Sequence, residues 1–86
     1  MSPEEADALI AQLTEGQAPE DAVQALAVLL SRAGTRLQLL ARSYANAHRE
    51  AAEWPTWAQL QNASRSLVLQ ASTCRDLAAR LAGRAR

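Results

Sequence analysis

The chain has 86 residues and a formal net charge of zero, and it contains no phenylalanine and a single cysteine. A chain of this length forms one domain, 1–86, with a modest core, and a lone cysteine excludes an internal disulfide. Alanine, leucine, glutamine, glutamate and arginine outnumber the β-branched and aromatic residues, which predicts an all-α fold and disfavours a sheet.

Charge is distributed unevenly along the chain. Residues 1–34 hold six acidic side chains against one arginine, whereas residues 35–86 hold eight arginines against three acidic side chains. This asymmetry indicates either an acidic segment that packs on a basic body or a basic end with its own partner.

The first predicted helix spans about residues 3–14. Ser2 fits its N-cap, Pro3 fits the first helical position, and Glu5 completes a capping-box pattern. Gly16 is expected to end the helix because glycine readily adopts the backbone conformation that follows a helix C-terminus.

The second predicted helix spans about residues 20–53, and its apolar side chains keep one helical phase over that length. Gly34 raises an alternative, because it fits a helix C-terminus and Thr35 with Gln38 then fits a new capping box. A break there would give a four-helix bundle. We favour a continuous or slightly bent helix, because the apolar stripe crosses Gly34 without changing phase and one internal glycine costs only about 1 kcal/mol.

The third predicted helix spans about residues 57–82. Apolar or small side chains recur every three or four residues from Trp57 to Leu81, and no glycine or proline interrupts them. This spacing predicts a long helix with one apolar stripe that needs an apolar partner along its whole length.

The segment before this helix, Trp54–Trp57, is expected to form the corner between the two long helices. A residue that precedes proline disfavours the α-helical region, so the second helix should stop by Trp54. Thr56 with Gln59 fits a capping box that would start the last helix.

These elements predict a short N-terminal helix packed at the open end of an antiparallel hairpin of two long helices. Two helices cannot bury both apolar stripes completely. We therefore expect a second copy of the chain, or another helical protein, to cover them.

The predicted function is a small non-enzymatic helical interaction or assembly module that acts through homodimerisation or by docking to a partner protein. Aromatic residues near the corner are candidate interface anchors because tryptophan is enriched at the energetic centres of protein interfaces. The candidate interface residues are Tyr44, Trp54, Trp57 and Leu60.

An alternative function is that of a nucleic-acid-associated regulator that binds through an arginine-rich face of residues 65–86. Arginine side chains would supply the phosphate contacts. The candidate nucleic-acid contacts are Arg65, Arg80, Arg84 and Arg86.

Catalytic and metal-binding patterns are not found in the sequence. The only histidine, His48, and the only cysteine, Cys74, are far apart in the chain and give no metal-ligand set. We therefore expect no enzyme and no cofactor. No apolar run is long enough to span a membrane, and the acidic N-terminus is unlike a signal peptide, so we expect a cytoplasmic protein.

Overall fold

Three α-helices account for nearly all of the chain that the computed structural model describes, which is residues 1–47 and 54–84. They are α1 (Pro3–Thr14), α2 (Pro19–Ala47) and α3 (Trp54–Arg84). No strand is present within these residues, so the all-α fold predicted from the composition is confirmed.

Helix α1 begins at an N-terminal cap. The hydroxyl Oγ of Ser2 accepts a hydrogen bond of 3.1 Å from the backbone N–H of Glu5, and Pro3 occupies the first turn. The cap satisfies one of the N–H groups that a helix start leaves without an intrahelical partner. The helix ends at Thr14, and Gly16 follows with a φ of 75°, a conformation that favours glycine.

Helix α2 runs without interruption through Gly34 and Thr35. The Thr35 hydroxyl donates a hydrogen bond of 3.2 Å to the carbonyl oxygen of Ser31, one turn earlier, and so does not cap a new helix. The alternative with a break at Gly34 is therefore not adopted, and the described part of the chain does not form a four-helix bundle by itself. The predicted residues 48–53 of this helix lie outside that part.

Helix α3 begins at Trp54, earlier than predicted. The segment Trp54–Trp57 belongs to the helix, so the expectation that it forms the corner is wrong. Proline is compatible with the first turn of a helix, because its missing N–H would have no intrahelical partner there. Pro55 therefore helps to open α3, and Thr56 lies inside the first turn instead of capping it.

Helix α3 also continues beyond its predicted end at residue 82, through Gly83 to Arg84. Among the described glycines, only Gly16 has a positive φ, so Gly83 does not form a left-handed cap. A single glycine costs a helix only about 1 kcal/mol, which does not suffice to end it.

Helices α2 and α3 pack against each other in opposite directions. The start of α2, at Glu20, lies beside Ala78 near the end of α3, and Gln38 lies beside Gln61. Residue numbers thus increase along one helix as they decrease along the other, which defines an antiparallel hairpin. Helix α1 packs against α2 and makes no close backbone approach to α3.

The seam between α2 and α3 consists of small residues spaced seven apart. This spacing keeps the same side of each helix facing its partner in a left-handed supercoil. Small side chains also let the two backbones approach closely. The buried seam residues are Ala27, Gly34 and Ala41 from α2, and Ser64, Ala71 and Ala78 from α3.

The two helices are very close where Gly34 meets Ser64. A Cβ atom on Gly34 would lie 3.0 Å from the backbone oxygen of Ser64 and 3.0 Å from Cγ2 of Val68, closer than ordinary van der Waals contact, so α3 would have to move by a few tenths of an ångström to admit it. The Ser64 hydroxyl donates a hydrogen bond of 2.6 Å to the carbonyl oxygen of Gly34. Packing therefore requires Gly34, whereas the sequence pattern indicates only that a glycine is tolerated there.

Candidate interaction surface

The hairpin has two broad faces that differ in polarity. Successive residues of a helix are rotated by about 100°, so Leu37 and Gln38, three and four residues after Gly34, lie on opposite sides of the seam. In α3, Leu67 and Gln61 lie on opposite sides of the seam for the same reason. Gln38 and Gln61 line one common groove. Gln38 and Gln61 therefore share one face, and Leu37 and Leu67 share the other.

We call the apolar face the leucine face. Its positions lie three or six residues after a seam position, where seam positions recur every seven residues from Glu20 in α2 and from Trp57 in α3. Partly exposed Tyr44 and Cys74 also lie on it. Its leucines are Leu26, Leu30, Leu37 and Leu40 from α2, and Leu60, Leu67, Leu77 and Leu81 from α3.

The leucine face is incompletely covered. Leu40 is 50% exposed and Leu77 is 45% exposed, and the other leucines of this face are also partly exposed. The buried hydrophobic residues in the described chain are all alanines, and no large side chain there is fully buried. The close approach of the two backbones leaves no room for leucine side chains between them, so these side chains lie along the outside of the seam.

The opposite face of the hairpin is polar. Gln24 and Arg75 line one shallow groove on it, and Gln38, Gln61 and Arg65 line another. Both grooves are open to solvent, but they are not wholly polar: exposed Val28 lines the first, and exposed Val68 and Leu69 line the second. This face therefore differs from the leucine face in its glutamine and arginine side chains and not in a lack of exposed apolar ones.

The candidate interface residues with described side chains lie at one end of the hairpin. Tyr44 and Leu60 are partly exposed on the leucine face. Trp57 is also partly exposed and occupies the seam position seven residues before Ser64, where its indole replaces the small residues found farther along. Trp54 opens α3 at the same end, and its side chain lies outside the described ones.

Sequence reasoning did not single out Leu40 and Leu77 as interface residues, although they are the most exposed leucines of the leucine face. A signal was available in the sequence. Each of them lies three residues beyond a member of the apolar stripe, Leu37 or Cys74, on the same side of the seam. The apolar stripe therefore covers more of the helix surface than the seam buries, and the leucines at its edge are exposed.

The arginines proposed as nucleic-acid contacts do not form one patch. Arg80 and Arg84 are exposed one turn apart near the end of α3. Arg65 is also exposed, but it lies on the polar face and about 22 Å along the helix axis from Arg80. Arg86 lies outside the described residues.

The described residues offer neither a metal-binding cluster nor a membrane-spanning helix. No group of three histidine, cysteine, aspartate or glutamate side chains among them could hold a metal ion, and none of their helices is long and apolar enough to cross a membrane. Cys74 is a free thiol. His48 lies outside the described part of the chain.

Comparisons with known proteins add no functional information to this geometry. A scan against protein-family models, a search of curated proteins and a search of solved structures give no match to this chain.

Proposed function

We propose that this protein is a small helical assembly module that packs its leucine face against another helical protein, either a second copy of itself or a different partner. One observation carries the proposal: the leucines of this face remain exposed to solvent while only small residues are buried. Burial of apolar surface contributes about 25 cal/mol per Å². Covering this face is therefore a large gain in free energy that the hairpin alone does not obtain.

A binding role fits the chemistry of this face better than a catalytic role. Leucine side chains supply apolar contact area but no nucleophile, acid or base. Along α2, large and small side chains also alternate every seven residues, which produces ridges and gaps into which the side chains of another helix can fit. The alternating positions are Leu26, Ala33, Leu40 and Ala47.

A photoreactive amino acid introduced in place of Leu40 in the native cells tests the proposal. Leu39 is the matched control, because it is 47% exposed against 50% for Leu40 but is rotated by about 100° away from the leucine face. We expect position 40 to give a cross-linked product of discrete mass and position 39 to give none. Equal products from both positions, or none from either, would contradict the proposal.

The alternative nucleic-acid function has its own test. Arg80 and Arg84 would make phosphate contacts, so binding would weaken steeply as salt is raised and would be lost when both are replaced by glutamine. The same replacement at Arg65 is the control. The absence of any mobility shift with random duplex or single-stranded probes at low salt would eliminate this alternative. The separation of Arg65 from the other two arginines counts against one continuous arginine surface for nucleic acid.

A further inference from the structure

The described chain is elongated and thin, and its Cα trace extends 56 × 27 × 14 Å. Helix α1 packs against α2 and does not approach α3, so it does not span the hairpin. Helical domains normally bury an apolar face between two layers. Within the described part of the chain, no helix other than α2 contacts α3, so no second layer covers the leucines of α3.

The accessible surface of the chain is larger than that of a compact protein of the same mass. The chain has an accessible surface of 6556 Å², whereas a folded monomer of this size exposes about 5,000 Å². The excess is roughly 1,600 Å² per chain. This excess belongs to the whole elongated chain, so the roughly 3,200 Å² obtained by removing it from two copies is an upper bound on the interface, and it lies within the range of obligate homodimers.

The leucine face is suited to a second copy of itself. The chain has a formal net charge of zero, so association of two copies meets no net repulsion. Both helices carry leucines on this face, so a two-fold rotation places leucine-bearing helices against leucine-bearing helices, as in a four-helix bundle. From Val23 to Leu81, the seam-flanking positions of this face hold no charged side chain among the described residues, and Arg84, six residues after Ala78, is the charged residue at its end.

We infer that two copies of this chain pack leucine face against leucine face as a two-fold symmetric bundle. This inference rests on the proposed function and names the partner of the same surface. Its cheapest test is the mass in solution, from sedimentation equilibrium of the purified full chain. We expect a dimer at micromolar concentration. A helical monomer at high micromolar concentration would overturn the inference.

Two adjacent substitutions locate the interface. Leu40→Glu places a carboxylate in the leucine face, and we expect it to weaken dimerisation by more than about 100-fold. Leu39→Glu makes the same chemical change outside that face, and we expect it to leave the dimer intact. Equal weakening by both substitutions, or by neither, would overturn the inference. If Leu40→Glu also loses its helical circular dichroism while Leu39→Glu keeps it, folding is coupled to dimerisation, which supports the inference.

The reactivity of Cys74 tests the wild-type chain without disturbing the face. Its thiol is partly exposed in the single chain, and a second copy would cover it. We expect its rate of maleimide labelling to fall by at least about tenfold as the protein is concentrated through its dimerisation range, because labelling follows the monomer fraction. Ser72→Cys in a Cys74→Ala background, exposed on the polar side, is the control and should label at a constant rate. A constant rate at Cys74 as well would overturn the inference.

The outcomes separate this inference from the proposed function. If the purified chain is a folded monomer but position 40 cross-links to a polypeptide of different mass in cells, the second copy is the wrong partner and the assembly function stands. If the purified chain is monomeric and position 40 cross-links to nothing, both proposals fail.

Discussion

The seam and the leucine face are neighbouring strips of the same two helices, yet they contain opposite kinds of side chain. The seam buries alanine, glycine and serine, and at Gly34 a Cβ would lie only 3.0 Å from the backbone oxygen of Ser64. The leucine face holds large side chains, of which Leu40 and Leu77 are about half exposed.

The difference follows from how closely the helices approach. Helices whose axes are very close exclude large side chains from between them, so the leucines lie beside the seam and not in it. Two helices joined this way have specific backbone contacts but little buried apolar area. The seam therefore determines how α2 and α3 fit together, whereas the leucines of the leucine face lie outside it and stay partly exposed.

The largest expected effect comes from widening the seam. We expect Gly34→Val to lower the free energy of unfolding by about 3 kcal/mol, because the new side chain meets the backbone of α3 and forces the helices apart. Urea denaturation followed by circular dichroism, at one fixed protein concentration, measures this loss.

Gly83→Val is the matched control for that substitution. A Cβ on Gly83 would have no atom of the described chain within 4 Å, and valine is a better helix former than glycine. We therefore expect no loss of stability. Similar losses at the two glycines would mean that close packing at Gly34 is not what makes its substitution costly.

An intermediate effect is expected on the leucine face. If the face is covered, Leu77→Ala should lower the free energy of unfolding by about 2 kcal/mol, as for a buried leucine. Leu69→Ala on the same helix should cost less than about 0.5 kcal/mol, because Leu69 is 68% exposed and lies outside that face. Thermal denaturation of the two variants makes the comparison. If both substitutions lower the free energy of unfolding only as much as their exposed fractions in the single chain predict, the leucine face is not covered.

The smallest effect is expected from Ser64→Ala. It removes the hydrogen bond between the Ser64 hydroxyl and the carbonyl oxygen of Gly34 but keeps the seam residue small, so the expected loss is about 1 kcal/mol. Ser72→Ala, at an exposed position of the same helix, should change stability by less than about 0.5 kcal/mol. Denaturant midpoints distinguish the two, and equal midpoints would show that the buried hydrogen bond contributes little.

Much of the fold could be predicted from the sequence because its signals are local and periodic. The capping pattern of Ser2 and Glu5 gives the start of α1, and the unbroken phase across Gly34 gives one continuous α2. The start of α3 was missed because the sequence before Pro55 fits both a helix end and a helix start. Only the rest of the structure decides between them.

The candidate site was harder to predict than the fold. A stripe of apolar residues does not reveal which of them are buried until the distance between the helices is known. Tyr44 and Trp57 are predicted as interface residues because they are aromatic, whereas Leu40 and Leu77 are identified only by their exposure in the structure. The spacing of Ala27, Gly34 and Ala41 was visible in the sequence, but its meaning depends on the matching spacing in α3.

The contact between Gly34 and Ser64 has one more consequence. Two rows of small residues repeated every seven positions could slide past each other by a whole repeat and still interlock. Among the buried seam residues, the missing Cβ and the hydroxyl each occur once, at Gly34 and Ser64. They are adjacent in only one alignment of the two helices, so this pair selects one register among several that are nearly equivalent. The register in turn determines which leucines of α2 lie beside which leucines of α3.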